Sequence, residues 1–200
     1  MRKIVLASCN AGKLAEMRAI LVGVAADLVA QSDLGIADIH ETGTTFVENA
    51  LLKARHASRI SGLPALADDS GLCVDALDGA PGLLSARYAG RHGDAAANIA
   101  KLLGALRDVR APQRSASFYC SVVVLRSAMD PAPLIAEGCW EGSILERPRG
   151  DHGFGYDPVF LDGESGLSAA ELDPAVKNRV SHRARALARL RERLPAGVAA

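Results

Sequence analysis

The stretch ADDSGLCVDALDGAPG, residues 67–82, sets two aspartates side by side between two apolar runs. These runs, PALAD and GLCVDAL, are typical of strands, and Ser70-Gly71 between them predicts a turn. Adjacent carboxylates repel each other, so we expect the fold to place positive charge beside Asp68 and Asp69. On one straight strand their side chains would point to opposite faces. They could serve a single site only if the chain bends.

Outward from this stretch, strand patterns and helix patterns alternate along the chain. Thr45 and Glu48 have the spacing of a capping box, which predicts a helix that runs from there to Gly62. A break near Ser181 is predicted in the closing helix. The chain is therefore predicted to be an α/β protein. The other predicted strands are residues 3–8, 27–31, 115–127 and 133–145, the last two antiparallel, and the predicted helices are residues 10–21, 45–61, 94–107 and 173–194.

Length and composition limit the class of protein. A chain of 200 residues suits one domain or two closely packed lobes, and 49% hydrophobic residues suffice for a buried core. A formal net charge of +0 argues against a general nucleic-acid or membrane surface. No segment approaches the roughly 20 apolar residues of a membrane span, and the first apolar run is too short for a signal-peptide core. We therefore expect a cytoplasmic protein.

Cysteine and lysine are used unevenly. The cysteines are far apart and form no CxxC pair, which favours buried thiols over disulfides or zinc ligands. Lysine is rare in a chain rich in arginine, which weakly favours a functional role for each lysine that is present. The cysteines are Cys9, Cys73, Cys120 and Cys139, and the lysines are Lys3, Lys13, Lys53, Lys101 and Lys177.

The segment SCNAGK, residues 8–13, joins a predicted strand to a predicted helix. A helix start offers unpaired amides and the positive end of its dipole, which suit a phosphate group. Ser8 and Asn10 add hydrogen-bonding side chains, and Lys13 adds a charge. The segment is not a Walker loop, because Ala7 stands where GxxxxGK(S/T) needs its first glycine. The alternative is an ordinary capped helix with a solvated lysine.

Asp68 and Asp69, with Glu41 in an earlier loop, are the predicted metal ligands. Mg²⁺ takes oxygen ligands and keeps several waters, so one or two carboxylates suffice. Either both aspartates share the site through a bend, or one holds the metal while the other orients water or caps a turn. The alternative is an acidic turn that is only solvated.

The segment GFGYDP, residues 153–158, sets two aromatic residues among glycines in a chain with only 4% aromatic residues. A flat ring on a glycine-flanked loop can stack on a nucleobase. Asp157 can accept a hydrogen bond from a ring N–H. The alternative for Phe154 is a core position, and the later basic residues are equally compatible with a helix end and a solvated face. The predicted donors to the substrate are Lys177, His182 and Arg183.

A phosphate-type helix start, a metal-type acid cluster and a base-type aromatic loop describe the three parts of a nucleoside triphosphate. They lie within five motifs that run nearly end to end, SCNAGKLAEM, ETGTTFVENALLKARHA, LADDSGLCVDALDGAPGLLSARYAG, GFGYDPVF and SHRARAL. In residues and order these motifs resemble the inosine triphosphate pyrophosphatase family, the Ham1-like proteins, which hydrolyse non-canonical purine nucleoside triphosphates. DDSGL, SARYAG and GFGYDP together are highly specific.

The resemblance implies an elongated central mixed β-sheet with flanking helices, and two lobes around a substrate cleft, in one domain over residues 1–200. It also implies a homodimer, Mg²⁺ dependence, and water attack on the α-phosphorus with release of a monophosphate and pyrophosphate. Asp69 is the implied catalytic residue, with Glu41 and Asp68 also near the metal. Leu167 departs from the pattern, because many relatives are expected to have lysine there. The implied substrate-binding residues are Ser8, Cys9, Asn10, Ala11, Gly12, Lys13, Ser70, Phe154, Gly155, Tyr156, Asp157, Lys177, His182 and Arg183.

Base selectivity follows from hydrogen-bond polarity. Hypoxanthine and xanthine carry an oxygen at position 6 and a proton on N1, whereas adenine has the reverse. A donor from Arg183 or His182 and an acceptor such as Asp157 would therefore favour ITP and XTP over ATP. Two rivals are a Maf-type pyrophosphatase, which GFGYDP and SHR oppose, and a non-catalytic nucleotide sensor, which has no need of clustered acids.

Overall fold

The computed structural model describes residues 2–23 and 26–193 of the chain. The predicted strands and helices are present, and the last residue of the predicted closing helix, 194, lies outside the described residues. The strands are β1 (Arg2–Leu6), β2 (Ala26–Ala30), β3 (Ala65–Val74), β4 (Ser115–Leu125), β5 (Leu134–Ile144) and β6 (Phe160–Asp162), and the helices are α1 (Ala11–Ile20), α2 (Phe46–Ser61), α3 (Ala95–Ala105), α4 (Pro174–Val180) and α5 (His182–Arg193).

The described strands form one sheet in the order β2-β1-β3-β4-β5-β6. Strand β1 is parallel to both β2 and β3, so that Val5 lies opposite Val29 on one side and Ala65 on the other. Strand β5 is antiparallel to β6. The sheet is therefore mixed and the protein is α/β, as predicted.

The predicted turn inside the opening stretch is wrong, because β3 runs without interruption from Ala65 to Val74. The two adjacent aspartates are consecutive residues of this strand, so their side chains point to opposite faces of the sheet. Each face supplies its own positive charges, as described below, which agrees with the expectation that positive charge lies beside Asp68 and Asp69. The chain turns only after the strand, where Asp78 and Gly79 have φ values of 51° and 84°.

Local signals set the helix limits. The Thr45 side chain accepts from the Glu48 amide and Glu48 accepts from the Thr45 amide, which completes the predicted capping box of α2. Gly62 ends α2 in the left-handed conformation, with φ 69°. Ser181 separates α4 from α5, which confirms the predicted break. Among the described residues, no helix combines the length and the apolarity that crossing a membrane requires.

The described chain divides into two compact units. The first runs to Asp69, takes in Cys120–Gly138 and resumes at Arg183, and the second comprises Ser70–Tyr119 and Cys139–His182. Side chains of β1, β3, β4, α1, α2 and α5 build the apolar core of the first unit. The core of the second unit includes Leu102 of α3 and an aromatic group that contains Trp140. The prediction of a single domain with a substrate cleft stays a prediction.

Candidate functional site

In the first unit, the segment SCNAGK links β1 to α1. The Asn10 side chain caps the helix, since its Oδ1 accepts from the Lys13 amide at 3.0 Å. The Ser8 hydroxyl accepts from the Asn10 amide at 3.2 Å. Cys9 is exposed at the turn, and Ala11 and Gly12 form the first helical residues. The alternative of an ordinary capped helix with a solvated lysine is therefore correct for the cap. It is wrong for Lys13, which is not solvated.

The Lys13 ammonium instead meets Asp68. The distance from Lys13 Nζ to Asp68 Oδ2 is 3.2 Å, and the Asp68 side chain has no exposed surface. The same carboxylate oxygen accepts from Arg183 Nη2 at 2.9 Å and from Arg183 Nε at 3.2 Å. Burial alone would raise the pKa of Asp68, but the charges of Lys13, Arg183 and Lys53 hold that pKa well below its usual range. Asp68 is therefore ionised in the folded protein.

Arg183 has a second carboxylate partner. Its Nη1 donates to Glu16 Oε2 of α1, and its side chain is almost entirely buried. The SHR motif therefore begins α5 by placing a guanidinium between Glu16 and Asp68. The structure brings Lys13, Asp68 and Arg183 together and adds Glu16, which the sequence analysis did not name.

Asp69 faces a different set of side chains, supplied by α2 and the loop before it. Its Oδ1 accepts from Lys53 Nζ at 2.8 Å, and its Oδ2 accepts from Asn49 Nδ2 at 3.3 Å. Lys53 Nζ also donates to Glu41 Oε1 at 2.7 Å. Burial raises the pKa of Asp69, and the nearby Glu41 carboxylate adds to the rise, although Lys53 and Lys13 oppose it. Asp69 is thus a more basic carboxylate than an exposed aspartate.

The donor set on this face fits Mg²⁺. Oxygens of Glu41 and Asp69 both lie within hydrogen-bonding distance of Lys53 Nζ. The two carboxylates therefore converge on one small region, in which the Lys53 ammonium is the cation. Mg²⁺ is bound through one or two carboxylates, with water and substrate phosphates completing its shell. Within the described ranges, no group of three or more His, Cys, Asp and Glu side chains has metal-binding geometry. Glu41 and Asp69 could therefore supply two oxygen ligands to Mg²⁺, while Asp68 points to the other face of β3.

Sequence reasoning missed three residues of this site: Glu16, Asn49 and Lys53. The scarcity of lysine was a signal for Lys53, which now lies at the centre of the acidic group. Asn49 and Lys53 are four residues apart on α2, so they share the helix face that meets Asp69. Glu16 lies inside the motif SCNAGKLAEM, but neither its residue type nor its spacing distinguished it from an ordinary acidic residue of a helix.

In the second unit, the GFGYDP loop is organised around Asp157. The Asp157 Oδ2 atom accepts from the Phe154 amide at 2.7 Å and from Lys177 Nζ at 2.5 Å. Lys177 Nζ also lies 5.0 Å from the centre of the Phe154 ring, within cation–π range. Gly153 has φ 77°, and a Cβ there would lie 2.0 Å from Asp157 Oδ2, so only glycine fits. Asp157 and Lys177 thus hold the half-buried Phe154 ring in place.

The other predicted substrate residues of this unit are packed into it to different degrees. The Tyr156 hydroxyl donates to the Ser85 carbonyl at 3.0 Å, and burial raises the pKa of Tyr156. The His182 ring stacks on Phe118 at a centroid distance of 4.8 Å and an angle of 13°. Gly155 takes a left-handed conformation with φ 62°. Ser70 is half-buried in β3.

The sequence of this chain matches a known protein family and curated relatives. A model of the Ham1 family matches residues 4–193. A dITP/XTP pyrophosphatase of Xanthomonas oryzae is 65% identical over 196 residues, covering 98% of each chain. A dITP/XTP pyrophosphatase of Xylella fastidiosa is 62% identical over 192 residues, covering 96% of each chain.

Solved structures agree with this match. The Ham1 protein of Coxiella burnetii superposes with a TM-score of 0.87 at 52% identity, covering 95% of this chain and 96% of that one. The Staphylococcus aureus Ham1 protein has a TM-score of 0.82 at 37% identity, covering 94% of this chain and 96% of that one. Since the family match, the high identity and the shared fold all extend over nearly the whole length, the chain belongs to the Ham1 family.

Proposed function

We propose that this protein is an enzyme that hydrolyses non-canonical purine nucleoside triphosphates, such as ITP, dITP and XTP, to the monophosphate and pyrophosphate. The observation that carries the proposal is the pair of adjacent aspartates in β3, each held by a lysine. Asp68 holds Lys13 at the start of α1, and Asp69 holds Lys53 together with Glu41. The relatives that are named dITP/XTP pyrophosphatases support the choice of substrate.

The residues of the first unit would perform the phosphoryl chemistry. Lys13 and the free amides at the start of α1 would bind the triphosphate and stabilise charge on the departing pyrophosphate. Asp69, whose pKa is raised by burial, would orient a water molecule toward the α-phosphorus and take its proton. Glu41 and Asp69 would hold Mg²⁺, which when bound supplies charge neutralisation on the phosphate oxygens.

Lys53 would take part in the same step as a movable cation. Its ammonium now lies between the two carboxylates that would hold the metal. The flexible Lys53 side chain could also turn toward a substrate phosphate, where its ammonium would neutralise charge. Before substrate arrives, the Lys53 ammonium would oppose the effect of burial and of the Glu41 charge, both of which raise the pKa of Asp69.

The residues of the second unit would recognise the base. Phe154, fixed by Asp157 and Lys177, offers a flat ring for stacking. Lys177 and His182 are candidate donors to O6, and Asp157 is the candidate acceptor for N1–H. A site of this polarity opposes adenine, which has an amino group at position 6 and no proton on N1. Guanine would have to be rejected at its 2-amino group.

One substrate panel tests this function. Pyrophosphate release should be measured with Mg²⁺ for ITP, dITP, XTP, GTP, ATP, dTTP and UTP. We expect kcat/KM for ITP and XTP to exceed that for ATP, and kcat/KM for ITP to exceed that for GTP. Equal efficiency for ITP and ATP would refute the proposed function. Efficient hydrolysis of dTTP or UTP would favour a Maf-type activity, and binding without hydrolysis would favour a nucleotide sensor.

We also propose that the protein is a cytoplasmic homodimer that binds neither nucleic acid nor membrane. The balanced charge, with a formal net charge of +0, supports the absence of a nucleic-acid surface. Light scattering coupled to size-exclusion chromatography gives the mass in solution. A mass of one chain, 20.9 kDa, at micromolar concentration would refute the dimer.

A further inference from the structure

Three contacts join four charged side chains of the first unit, and the backbone of α1 completes the ring. Glu16 accepts from Arg183, Arg183 donates to Asp68, and Asp68 lies 3.2 Å from Lys13. Lys13 and Glu16 are three residues apart on α1, so they share one face of that helix. The ring therefore starts and ends on α1, and it passes through α5 and β3 on the way.

The four side chains of this ring differ in how much of their surface is exposed. The exposed fractions of the side chains are 1% for Arg183, 0% for Asp68 and 12% for Glu16. Lys13 is the most exposed at 15%, and it stands at the helix start that suits phosphate. Arg183 and Asp68 have so little accessible surface that a bound nucleotide could reach them only after the ring opened.

We propose that Glu16 is a positioning residue for Lys13. Glu16 holds the Arg183 guanidinium, Arg183 holds the Asp68 carboxylate, and Asp68 fixes the Lys13 ammonium where it meets the triphosphate. The inference rests on the proposed function, and it deepens that function by adding Glu16, through Arg183 and Asp68, to the residues that position the phosphate-binding lysine. The ring also fixes α1 itself, because Glu16 ties this helix to α5 and Lys13 ties it to β3.

The proposal predicts an effect with a distinctive sign. Glu16 is a negative charge near a site for an anion, so simple electrostatics predicts that its removal strengthens anion binding. If Glu16 instead orients Lys13 through Arg183 and Asp68, its removal weakens anion binding. The direction of the change therefore separates a positioning role from a general charge effect.

Calorimetry with the full chain tests this sign without hydrolysis. The affinities of inorganic tripolyphosphate and of ITP should be measured in EDTA for the wild type, Glu16→Ala and the isosteric Glu16→Gln. We expect about fivefold weaker binding of both ligands to Glu16→Ala, and a smaller loss for Glu16→Gln, a size typical of coupled neighbours. Arg18→Ala is the matched control on α1, because Arg18 is exposed and pairs only loosely with Asp33 at 3.6 Å. Its affinity should stay within about twofold of the wild type.

A double-mutant cycle identifies the path of the effect. In the Lys13→Ala background, Glu16→Ala should change tripolyphosphate affinity by less than about twofold, because the lysine it positions is gone. Tighter or unchanged binding to both Glu16 variants, or an equal loss with and without Lys13, would overturn the inference. So would a folded wild type that binds no tripolyphosphate. If the wild type binds tripolyphosphate with this pattern but releases no pyrophosphate from any nucleotide, the proposed function fails while the positioning role of Glu16 stands.

Discussion

The replacement of Asp69 by asparagine tests the chemistry most directly. The change keeps the size of the side chain and removes one charge from a buried group. In the folded protein, Asp69 accepts from Lys53 at 2.8 Å and from Asn49 at 3.3 Å. The amide oxygen of the new asparagine can still accept from one of these donors. We therefore expect the protein to stay folded and the general base for the attacking water to be lost.

The substitution is expected to change the free energy of unfolding only slightly and kcat strongly. Removing one partner of a buried ion pair costs about 3–5 kcal/mol when the other charge is left uncompensated. Lys53 keeps its 2.7 Å contact with Glu41, so we expect a loss of only about 1–2 kcal/mol in the free energy of unfolding. Loss of a general base lowers rates by roughly 10²–10⁴-fold, and loss of a metal ligand adds to this. We expect kcat to fall by about 10³-fold.

The assay is pyrophosphate release from ITP at saturating Mg²⁺, with thermal unfolding measured on the same samples. Asp75→Asn is the matched control, because Asp75 directly follows β3 and is an exposed carboxylate that accepts from the Ser115 hydroxyl at 2.6 Å. The control should keep wild-type turnover. Wild-type turnover by Asp69→Asn would refute the catalytic assignment. A loss of activity that merely tracks a loss of folded protein would show that Asp69 is structural.

Three further predictions concern the phosphate segment, the aromatic loop and the thiols. Lys13→Ala should raise KM for ITP by about tenfold and leave the ITP/ATP ratio within about twofold; unchanged kinetics would reduce SCNAGK to a capped helix. Gly153→Ala places a Cβ 2.0 Å from Asp157 Oδ2 at φ 77°, so we expect about 1–2 kcal/mol less stability and weaker ITP binding with unchanged tripolyphosphate affinity, both measurable by calorimetry. The Cys120 thiol is buried and its pKa is raised to about 12, so a thiol reagent at pH 8 should label exposed Cys9 first and Cys120 only after unfolding, as peptide mass spectrometry can show.

Local patterns in the sequence predicted the secondary structure well. Capping and helix-ending signals, such as Thr45 with Glu48 and Gly62, act within a few residues, so they can be read without the fold. The break at Ser181 belongs to the same class. The error after Asp68-Asp69 arose because Ser70-Gly71 favours a turn locally, whereas the tertiary contacts of each carboxylate stabilise a strand.

The sequence by itself determined the α/β class, the limits of most elements, the family and the residue types of the candidate site. Only the tertiary structure decided which cation serves which carboxylate. Arg183 is 115 positions from Asp68 and 167 positions from Glu16, and no local pattern connects residues so far apart. Because side chains alternate along a strand, Asp68 contacts Lys13 and Arg183. Asp69, on the other face, contacts Lys53, which also contacts Glu41. Neighbours in sequence thus acquired different partners, because the two faces of one strand meet different helices.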